Sequence, residues 1–424
     1  MPSFRVALLF WLKLGFISFG GPAGQIAIMH RELVEKRKWI SERHFLHALN
    51  FSMLLPGPEA QQLATYLGWR IHGWRGGLAA GGLFVIPSAF LLFALSWLYM
   101  AGGDIPWLAA IFYGLLPAVM AVILAAVLRI GGKTLRSGSL WAIAGISFVA
   151  IYFFNISFVL IIFSAALCGW IGHRFSPDQF PAGKGKSTDE GGEEGVLVLP
   201  AVERPTWKRA FKVVGVCLFL WILPMFLLGI WLGWGSTAVA QGVFFSKAAM
   251  VTFGGAYAVL PYVAQQAVEH YSWLTHEQMM SGLALAETTP GPLIIVLQFV
   301  GFVGGWQNHG NFSPLQAATI GAAITTWVTF VPCFLFVFLG GPFVEGLQKL
   351  PKVGASLTAI TAAVVGVILN LGVDFAMHAL WPEGGFDWFV AVVSLAAFVA
   401  LWKFKIPFTI VLACCALLGL LSLI

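Results

Sequence analysis

The sequence predicts an all-α polytopic membrane protein, built from two related halves that face opposite ways across the bilayer. Three observations predict this fold class. Of the 424 residues, 59% are hydrophobic and 10% are charged, whereas a soluble chain carries roughly a quarter charged residues. Long stretches lack any Asp, Glu, Lys or Arg, and the motifs Phe-Gly-Gly and Pro-Gly-Pro each occur twice at one fixed spacing.

The uncharged stretches have the length of membrane spans, since a helix needs about 20 apolar residues to cross ~30 Å of hydrocarbon. These stretches are 77–100, 105–128, 213–246, 248–268, 288–308, 310–344, 353–373 and 406–424. A longer apolar run over 137–172 is best divided near Asn155 into two short spans.

An internal repeat relates the two halves. An offset of 234 aligns Lys13 with Lys247, Phe19-Gly20-Gly21 with Phe253-Gly254-Gly255, and Pro56-Gly57-Pro58 with Pro290-Gly291-Pro292. Further along the chain the offset becomes 245, which pairs Pro87 with Pro332. Because the identities concentrate in glycines, prolines and one lysine, we interpret them as a duplication.

The repeat divides the chain into four parts. Residues 1–172 form the N-terminal repeat, 173–212 a flexible cytoplasmic linker rich in glycine, proline and mixed charge, 213–236 a linking span without a counterpart, and 237–424 the C-terminal repeat. One extra span between two repeats inverts the second relative to the first.

The distribution of basic residues agrees with this inversion. The loop 31–43 carries five Lys and Arg residues, and its partner 265–277 carries none. Since loop Lys and Arg stay on the cytoplasmic side, the N-terminus and the linker are predicted to be cytoplasmic and the C-terminus periplasmic. The stretch from His30 to His47, with Trp39 among basic residues, is interpreted as an interfacial helix.

The glycine and proline motifs predict broken helices. If the basic loops 31–43, 70–75 and 129–136 are all cytoplasmic, the segments around the first two motifs cannot each cross fully, so each is drawn as re-entrant. The alternative is two ordinary spans with an unusual charge distribution. Such backbone is tolerated at membrane depth only where it lines a cavity or is buried in protein.

Four helices that begin at these breaks would direct positive dipole ends and free N–H groups toward an anion. The alternative is that glycine and proline only permit tight helix packing. The candidate substrate-binding residues are Lys13, Ser18, Gly20, Gly21, Gly24, Gln25, Pro56, Gly57, Pro58, Gln61, Lys247, Thr252, Gly254, Gly255, Pro290 and Gly291.

Four ionisable residues near the breaks could act in transport. Lys13 and Lys247 each lie six residues before Phe-Gly-Gly and together would suit a divalent anion, or else they snorkel to the headgroups. Glu59 and Glu287 are candidates for proton coupling, or else carboxylates paired with a nearby cation.

Several functional classes are excluded. The net charge of +6 comes from short loops between apolar spans, so nucleic-acid binding is not expected. The five cysteines have no CxxC spacing and read as packing residues. No metal-ligand spacing and no catalytic motif is found among the histidines and carboxylates, so neither an enzyme, a cofactor nor a metal is expected.

At these motifs the sequence resembles the chromate ion transporter (CHR) family in its long, two-domain form. The resemblance is carried by LKLGFISFGGPAGQIA (12–27), RKWISERHFLHALNFSMLLPGPEAQQLA (37–64), VTFGGAYAVLP (251–261) and TTPGPL (288–293). It implies a multi-pass bacterial inner-membrane protein that exports chromate, driven by the membrane potential or a proton gradient, and so confers chromate resistance. Its partners would be the lipid bilayer and chromate or a sulfate-like oxyanion. A homodimer is compatible with the sequence.

The residues leave three alternatives open. A sulfate transporter would handle a dianion of nearly the same size and shape. An anion channel would never exceed the electrochemical gradient, and a membrane chromate reductase would need a redox cofactor whose motif the sequence lacks.

Overall fold

A computed structural model describes residues 2–102, 105–181, 206–343, 351–382 and 384–422. Within these ranges the chain forms sixteen α-helices joined by turns and short helical segments, and the described residues contain no β-strand. The prediction of an all-α fold is therefore confirmed.

The first repeat contains seven α-helices. They are α1 Phe4–Ile17, α2 Gly21–His30, α3 Glu42–Ser52, α4 Glu59–Ala101, α5 Pro106–Thr134, α6 Gly138–Phe154 and α7 Phe158–Phe175, with a π-helical turn at Arg31–Lys36 after α2. Asn155 caps the end of α6 in a left-handed conformation, and this turn divides the apolar run 137–172 where the sequence predicted it.

Among the described residues between the repeats, one helix is present, α8, Trp207–Leu232. The second repeat contains α9 Thr237–Val251, α10 Ala256–Ala264, α11 His276–Thr288, α12 Val296–Gln307, α13 Pro314–Gly340, α14 Pro351–Leu380, α15 Trp388–Trp402 and α16 Phe408–Leu421. A π-helical turn at Gln265–His270 follows α10, and 3-10 turns lie at Leu293–Ile295 and Gly341–Phe343.

The two repeats share unusual backbone features at matching positions. The π-helical turns at Arg31–Lys36 and Gln265–His270 are related by the offset of 234. In the first repeat, α4 has a kink at His72 and Gly73, and the second repeat has the loop 308–313 between α12 and α13 at this position. The long helix α4 therefore corresponds to two helices of the second repeat.

In the described part of the chain, six helices are long and apolar enough to cross a membrane. They are Glu59–Ala101, Pro106–Thr134, Phe158–Phe175, Trp207–Leu232, Pro314–Phe343 and Lys352–Leu380. The helix α8 buries only Gly229 among its 26 residues, and its outer surface carries exposed Phe, Trp, Leu and Ile side chains. An apolar surface of this extent is suited to lipid, and the chain is a multi-pass membrane protein.

Two sequence-based predictions, the start of the linking helix and the interfacial helix, differ from the structure. The linking helix begins at Trp207, because the Thr206 side chain caps its first turn, so the end of the predicted linker belongs to this helix; residues 182–205 lie outside the described ranges. The stretch from His30 to His47 is not one interfacial helix. It is interrupted between the π-helical turn and α3, where Lys38 adopts a positive φ and Trp39 is buried.

The interior has two main apolar cores. The smaller core joins α1–α4 with the end of α13. The larger core joins the C-terminal half of α4 with α5 and most of the second repeat. The equivalent helices α2 and α10 are consequently packed unequally. In α2 only Gln25 and Met29 are buried, whereas in α10 every residue except Tyr257 is buried.

Candidate functional site

The Phe-Gly-Gly motifs separate two helices in each repeat. In the first repeat α1 ends at Ile17 and α2 begins at Gly21; in the second α9 ends at Val251 and α10 begins at Ala256. All four glycines adopt positive φ, between +66° and +91°. A side chain at such a φ is strained, so the conformation explains why both breaks require glycine.

The Pro-Gly-Pro motifs form the second pair of breaks. The central residues Gly57 and Gly291 have φ values of +124° and +98°. The following prolines, Pro58 and Pro292, cap the next helical segment from an extended conformation. Because proline lacks an N–H group, the central glycine provides the only N–H donor within each motif.

The breaks of the two repeats are joined by a reciprocal pair of hydrogen bonds. The Gly57 N–H donates to the Thr252 carbonyl at 2.7 Å, and the Gly291 N–H donates to the Ser18 carbonyl at 2.8 Å. The offset of 234 relates Gly57 to Gly291 and Ser18 to Thr252. Each Pro-Gly-Pro therefore binds the Phe-Gly-Gly segment of the other repeat, as in a two-fold symmetric interface.

A second reciprocal contact surrounds the same glycines. A Cβ atom added to Gly57 would lie 3.0 Å from Cys333 Sγ, and one added to Gly291 would lie 2.6 Å from Ser88 Oγ. The offset of 245 relates Ser88 to Cys333. The interface between the repeats is therefore closely packed around both Pro-Gly-Pro turns, and it leaves no room for a larger residue.

Three buried glutamines of the first repeat lie at the breaks. The side chain of Gln25 donates to the Gly291 carbonyl, that of Gln62 donates to the Pro56 carbonyl at 2.6 Å, and that of Gln61 donates to Thr65 Oγ1 at 3.2 Å. Among the described residues, their Oε1 atoms have no hydrogen-bond partner.

Two carboxylates lie beside the breaks. Glu59 is the first residue of α4, and a Cβ atom on Gly255 would be 3.7 Å from its Oε1 atom. Glu287, near the end of α11, is buried and accepts a hydrogen bond from the Tyr257 hydroxyl on α10. Both candidates for proton coupling are therefore placed where the helices break, one at each Pro-Gly-Pro.

The two lysines lie on outer faces. Lys13 is exposed on α1, next to the exposed side chains of Leu9 and Phe16. Lys247 is similarly exposed on α9, on a face with Val243 and Met250. None of the hydrogen bonds that join the breaks in the described residues involves either lysine.

Lys13 also has an electrostatic partner outside the breaks. The hydrogen bond from Lys36, at 2.7 Å, holds the pKa of the Glu32 carboxyl below its usual value, opposed by burial and assisted by the charges of Lys13 and Arg37. The second repeat has Gln266 at the position of Glu32. The surroundings of the two lysines therefore differ.

The remaining predicted residues form the walls of the breaks. Ser18 and Thr252 are buried, and their hydroxyls donate to the carbonyls of Leu14 and Ala248 one turn earlier. A Cβ atom on Gly24 would lie 2.8 Å from the Phe19 carbonyl oxygen, and Pro290 is buried. Their role in this structure is to shape the turns.

The four helical segments that start at the breaks lie close together. The start of α10 is near Glu59 at the start of α4, and α10 also contacts the 3-10 turn Leu293–Ile295. The first N–H groups of a helix are unpaired within it and carry a positive dipole end. Ends of this kind, together with amide side chains, can hold an anion.

Sequence reasoning missed several residues near the breaks. Ser88 and Cys333 could have been found, because they follow directly after Pro87 and Pro332, which the offset of 245 already paired. The bond between Tyr257 and Glu287 could not have been found, because the equivalent positions of the first repeat hold Ala23 and Met53, which form no such pair. No pattern in the sequence connects them.

Comparisons with known proteins agree with this architecture. A family model described as "Chromate transporter" matches residues 6–170 and 239–420, which include α1 to α7 and α9 to α16 except for a few terminal residues. No solved structure matches the chain.

Curated relatives include long and short chains. A chromate transport protein of Cupriavidus metallidurans is 29% identical over 99% of this chain and 93% of its own length. A chromate transport protein of Pseudomonas aeruginosa is 32% identical over 96% of this chain and 90% of its own length. The transporter YwrA of Bacillus subtilis is 29% identical over 40% of this chain and 96% of its own length, so chains about one repeat long exist.

Proposed function

The chain belongs to the chromate transporter family, and we propose that it exports chromate, a tetrahedral divalent oxyanion, across the bacterial inner membrane and so confers chromate resistance. It works as a secondary transporter and not as an enzyme. The observation that carries the proposal is the reciprocal bonding of the four breaks, which places four helical starts from both repeats around one central region.

Unequal packing of the repeats supports alternating access. Between α2 and α3 lies an open cavity of about 500 Å³, with Ala23 and Leu49 among its lining residues and His30, Arg31 and Glu35 at its edge. The equivalent helices of the second repeat, α10 and α11, are buried. With the basic loop 31–43 on the cytoplasmic side, this cavity opens the first repeat toward the cytoplasm.

The short helix α1 agrees with the proposed re-entrance, on which the inversion of the repeats depends. In the first repeat α1 has 14 residues, about 21 Å at 1.5 Å per residue, which is shorter than the ~30 Å hydrocarbon layer. The proposal treats the segments before the kink of α4 as re-entrant and the later part of α4, α5, α6 and α7 as four crossings. The linking helix α8 then adds one crossing and turns the second repeat over.

The membrane potential favours export of a dianion. Moving one charge through 100 mV is worth ~2.3 kcal/mol, so a dianion that leaves a negative-inside cell gains about twice that energy. Glu59 and Glu287 are proposed to couple a proton gradient to the movement of the breaks. Lys13 and Lys247 are proposed to neutralise the dianion, although each must then approach the breaks from the outer face that it occupies in this structure.

Chromate flux in everted membrane vesicles tests the function. We expect accumulation of chromate in the vesicles when a potential or a pH gradient is imposed, with each gradient applied separately to identify the coupling. Sulfate added in excess measures the preference between the two anions. Flux equal to that of vesicles without the protein, under both gradients, would contradict the proposal. Flux that never exceeds the electrochemical gradient of chromate and shows no proton coupling would indicate a channel.

A further inference from the structure

Three side chains on α11 and α14 form a cluster that the transport mechanism does not use. His276 is the first residue of α11, while Asp374 and His378 lie one turn apart near the end of α14. Each offers one ligand atom, and these atoms all lie within 4.8 Å of one another. The first two residues are far apart in the chain, so only the fold brings them together.

The cluster is organised around the carboxylate. His276 Nε2 lies 3.5 Å from Asp374 Oδ2, and His378 Nδ1 lies 3.3 Å from Asp374 Oδ1. The two imidazole rings stack with centroids 3.7 Å apart and planes inclined by 11°. His378 Nδ1 is also 2.9 Å from the backbone carbonyl oxygen of Asp374, so this ring is oriented by its own helix.

We propose that His276, Asp374 and His378 form a binding site for a divalent first-row transition metal, such as Zn²⁺. Two neutral imidazoles and one carboxylate are a ligand set that Zn²⁺ uses in sites with three protein ligands and a water. Bonds of about 2.0–2.1 Å in a tetrahedral site separate neighbouring ligand atoms by ~3.3 Å. The distance of 3.5 Å between His276 Nε2 and Asp374 Oδ2 is already close to this value. His378 must release the hydrogen bond from Nδ1 to the Asp374 carbonyl, or turn Nε2 toward the site, before it can bind the ion.

The three side chains of the cluster are partly exposed, so solvent reaches them and they have room to move. The side chains of His276, Asp374 and His378 are 24%, 31% and 46% exposed, so an ion can enter from solvent and a water can complete its coordination. Because the two rings are almost parallel, their nitrogen lone pairs lie in nearly parallel planes. At least one ring must therefore turn out of the stack before both can bind one ion. Exposure of both rings allows this rotation without disturbing the core.

The competing explanation is an ordinary surface ion pair between an aspartate and two histidines. The first repeat does not share this cluster. The offsets of 234 and 245 place Glu42, Arg129 and Lys133 at the equivalent positions of the first repeat. Two of these are cations that cannot bind a metal, so of the two repeats the second alone has three compatible ligands at these positions.

The position of the site gives a bound metal a structural effect. The helix α11 leads into the second Pro-Gly-Pro, and α14 is largely buried, including Phe375 beside Asp374. A metal held by both helices would fasten the segment that carries this break to the scaffold. According to the charge distribution, the site faces the periplasm.

Metal binding by the purified full-length chain tests the proposal. The protein is prepared in detergent with an affinity tag that contains no histidine, and Zn²⁺ alone is titrated against it by calorimetry, with elemental analysis for stoichiometry. We expect one Zn²⁺ per chain. Since even partners outside the first coordination layer change affinity by about 10–100-fold, His276→Ala and His378→Ala should each weaken binding at least tenfold.

The control is His309→Ala, which removes an exposed histidine in the loop between α12 and α13 and should leave the affinity unchanged. Because His378 is nearly half exposed, His378→Ala should fold, and its size-exclusion profile is compared with that of the parent. Absence of saturable binding by the parent, or equal affinity in the parent and in a folded His378→Ala variant, would overturn the proposal.

Discussion

The central glycine of the second Pro-Gly-Pro offers the sharpest test of the interface between the repeats. In Gly291→Ala, the new Cβ atom would lie 2.6 Å from Ser88 Oγ and 2.8 Å from Ser88 Cβ, at a φ of +98°. The backbone strain costs about 1–2 kcal/mol, and the overpacking costs about 1–3 kcal/mol. We therefore expect a loss of about 2–5 kcal/mol in stability, with reduced chromate transport.

Two further variants separate strain from collision. Ser88→Gly combined with Gly291→Ala removes both Ser88 atoms but leaves the Phe84 carbonyl oxygen 3.2 Å from the added Cβ. The double variant should therefore recover part of the overpacking cost relative to the two single changes. The matched control is Gly82→Ala, at a helical position in α4 with no atom within 4 Å of the added Cβ. Alanine is favoured over glycine in a helix by roughly 0.5–1 kcal/mol, so this change should be neutral or stabilising.

The assays are thermal unfolding in detergent, followed by size-exclusion chromatography, and chromate flux in everted vesicles normalised to protein level. The predicted order of stability is Gly82→Ala at or above the parent, then the double variant, then Gly291→Ala. Parental stability and flux in Gly291→Ala would refute the close packing of Ser88 against this turn, as would equal damage from Gly82→Ala.

Three more predictions concern charge and topology. Lys13→Gln and Lys247→Gln should each raise KM for chromate or lower the rate if the lysines neutralise the dianion; unchanged kinetics in both, at normal membrane levels, would leave them as headgroup anchors. Glu287→Gln should keep potential-driven flux but abolish its response to an imposed pH gradient, and a retained response would remove Glu287 from proton coupling. Single cysteines at Ser41 and Thr275, in a background without native cysteines, should be labelled from opposite sides of the membrane, whereas labelling of both from one side would contradict the inverted repeats.

The positions of the helix breaks could be predicted from the sequence because their cause is local. Glycines at positive φ and prolines without N–H groups determine where a helix ends, whatever the rest of the chain does. For the same reason Asn155 could be identified as the turn between α6 and α7. The repeat added certainty, since Gly57 and Gly291 perform one task at matching positions.

The contacts between the repeats could not be predicted, because they depend on how two distant segments meet. The sequence identified Ser18 and Gly291 separately, but nothing in it indicated that the Gly291 N–H donates to the Ser18 carbonyl. The burial of individual side chains could not be predicted from the sequence either. The pattern that made Lys13 and Lys247 a pair of candidates does not reveal that both lie on exposed faces, which only the packing of α1 and α9 decides.

The reciprocal bonds between the breaks have a consequence for how such a chain evolves. A polypeptide with one repeat could satisfy its Pro-Gly-Pro amide in this way only by pairing with a second copy, and both copies would then be constrained to the same side chains. Fusion of the two copies removes that constraint. In this chain Gln25 and Glu59 have Val259 and Leu293 as their counterparts, so the two repeats differ in the polar groups beside the breaks while the turns themselves are the same.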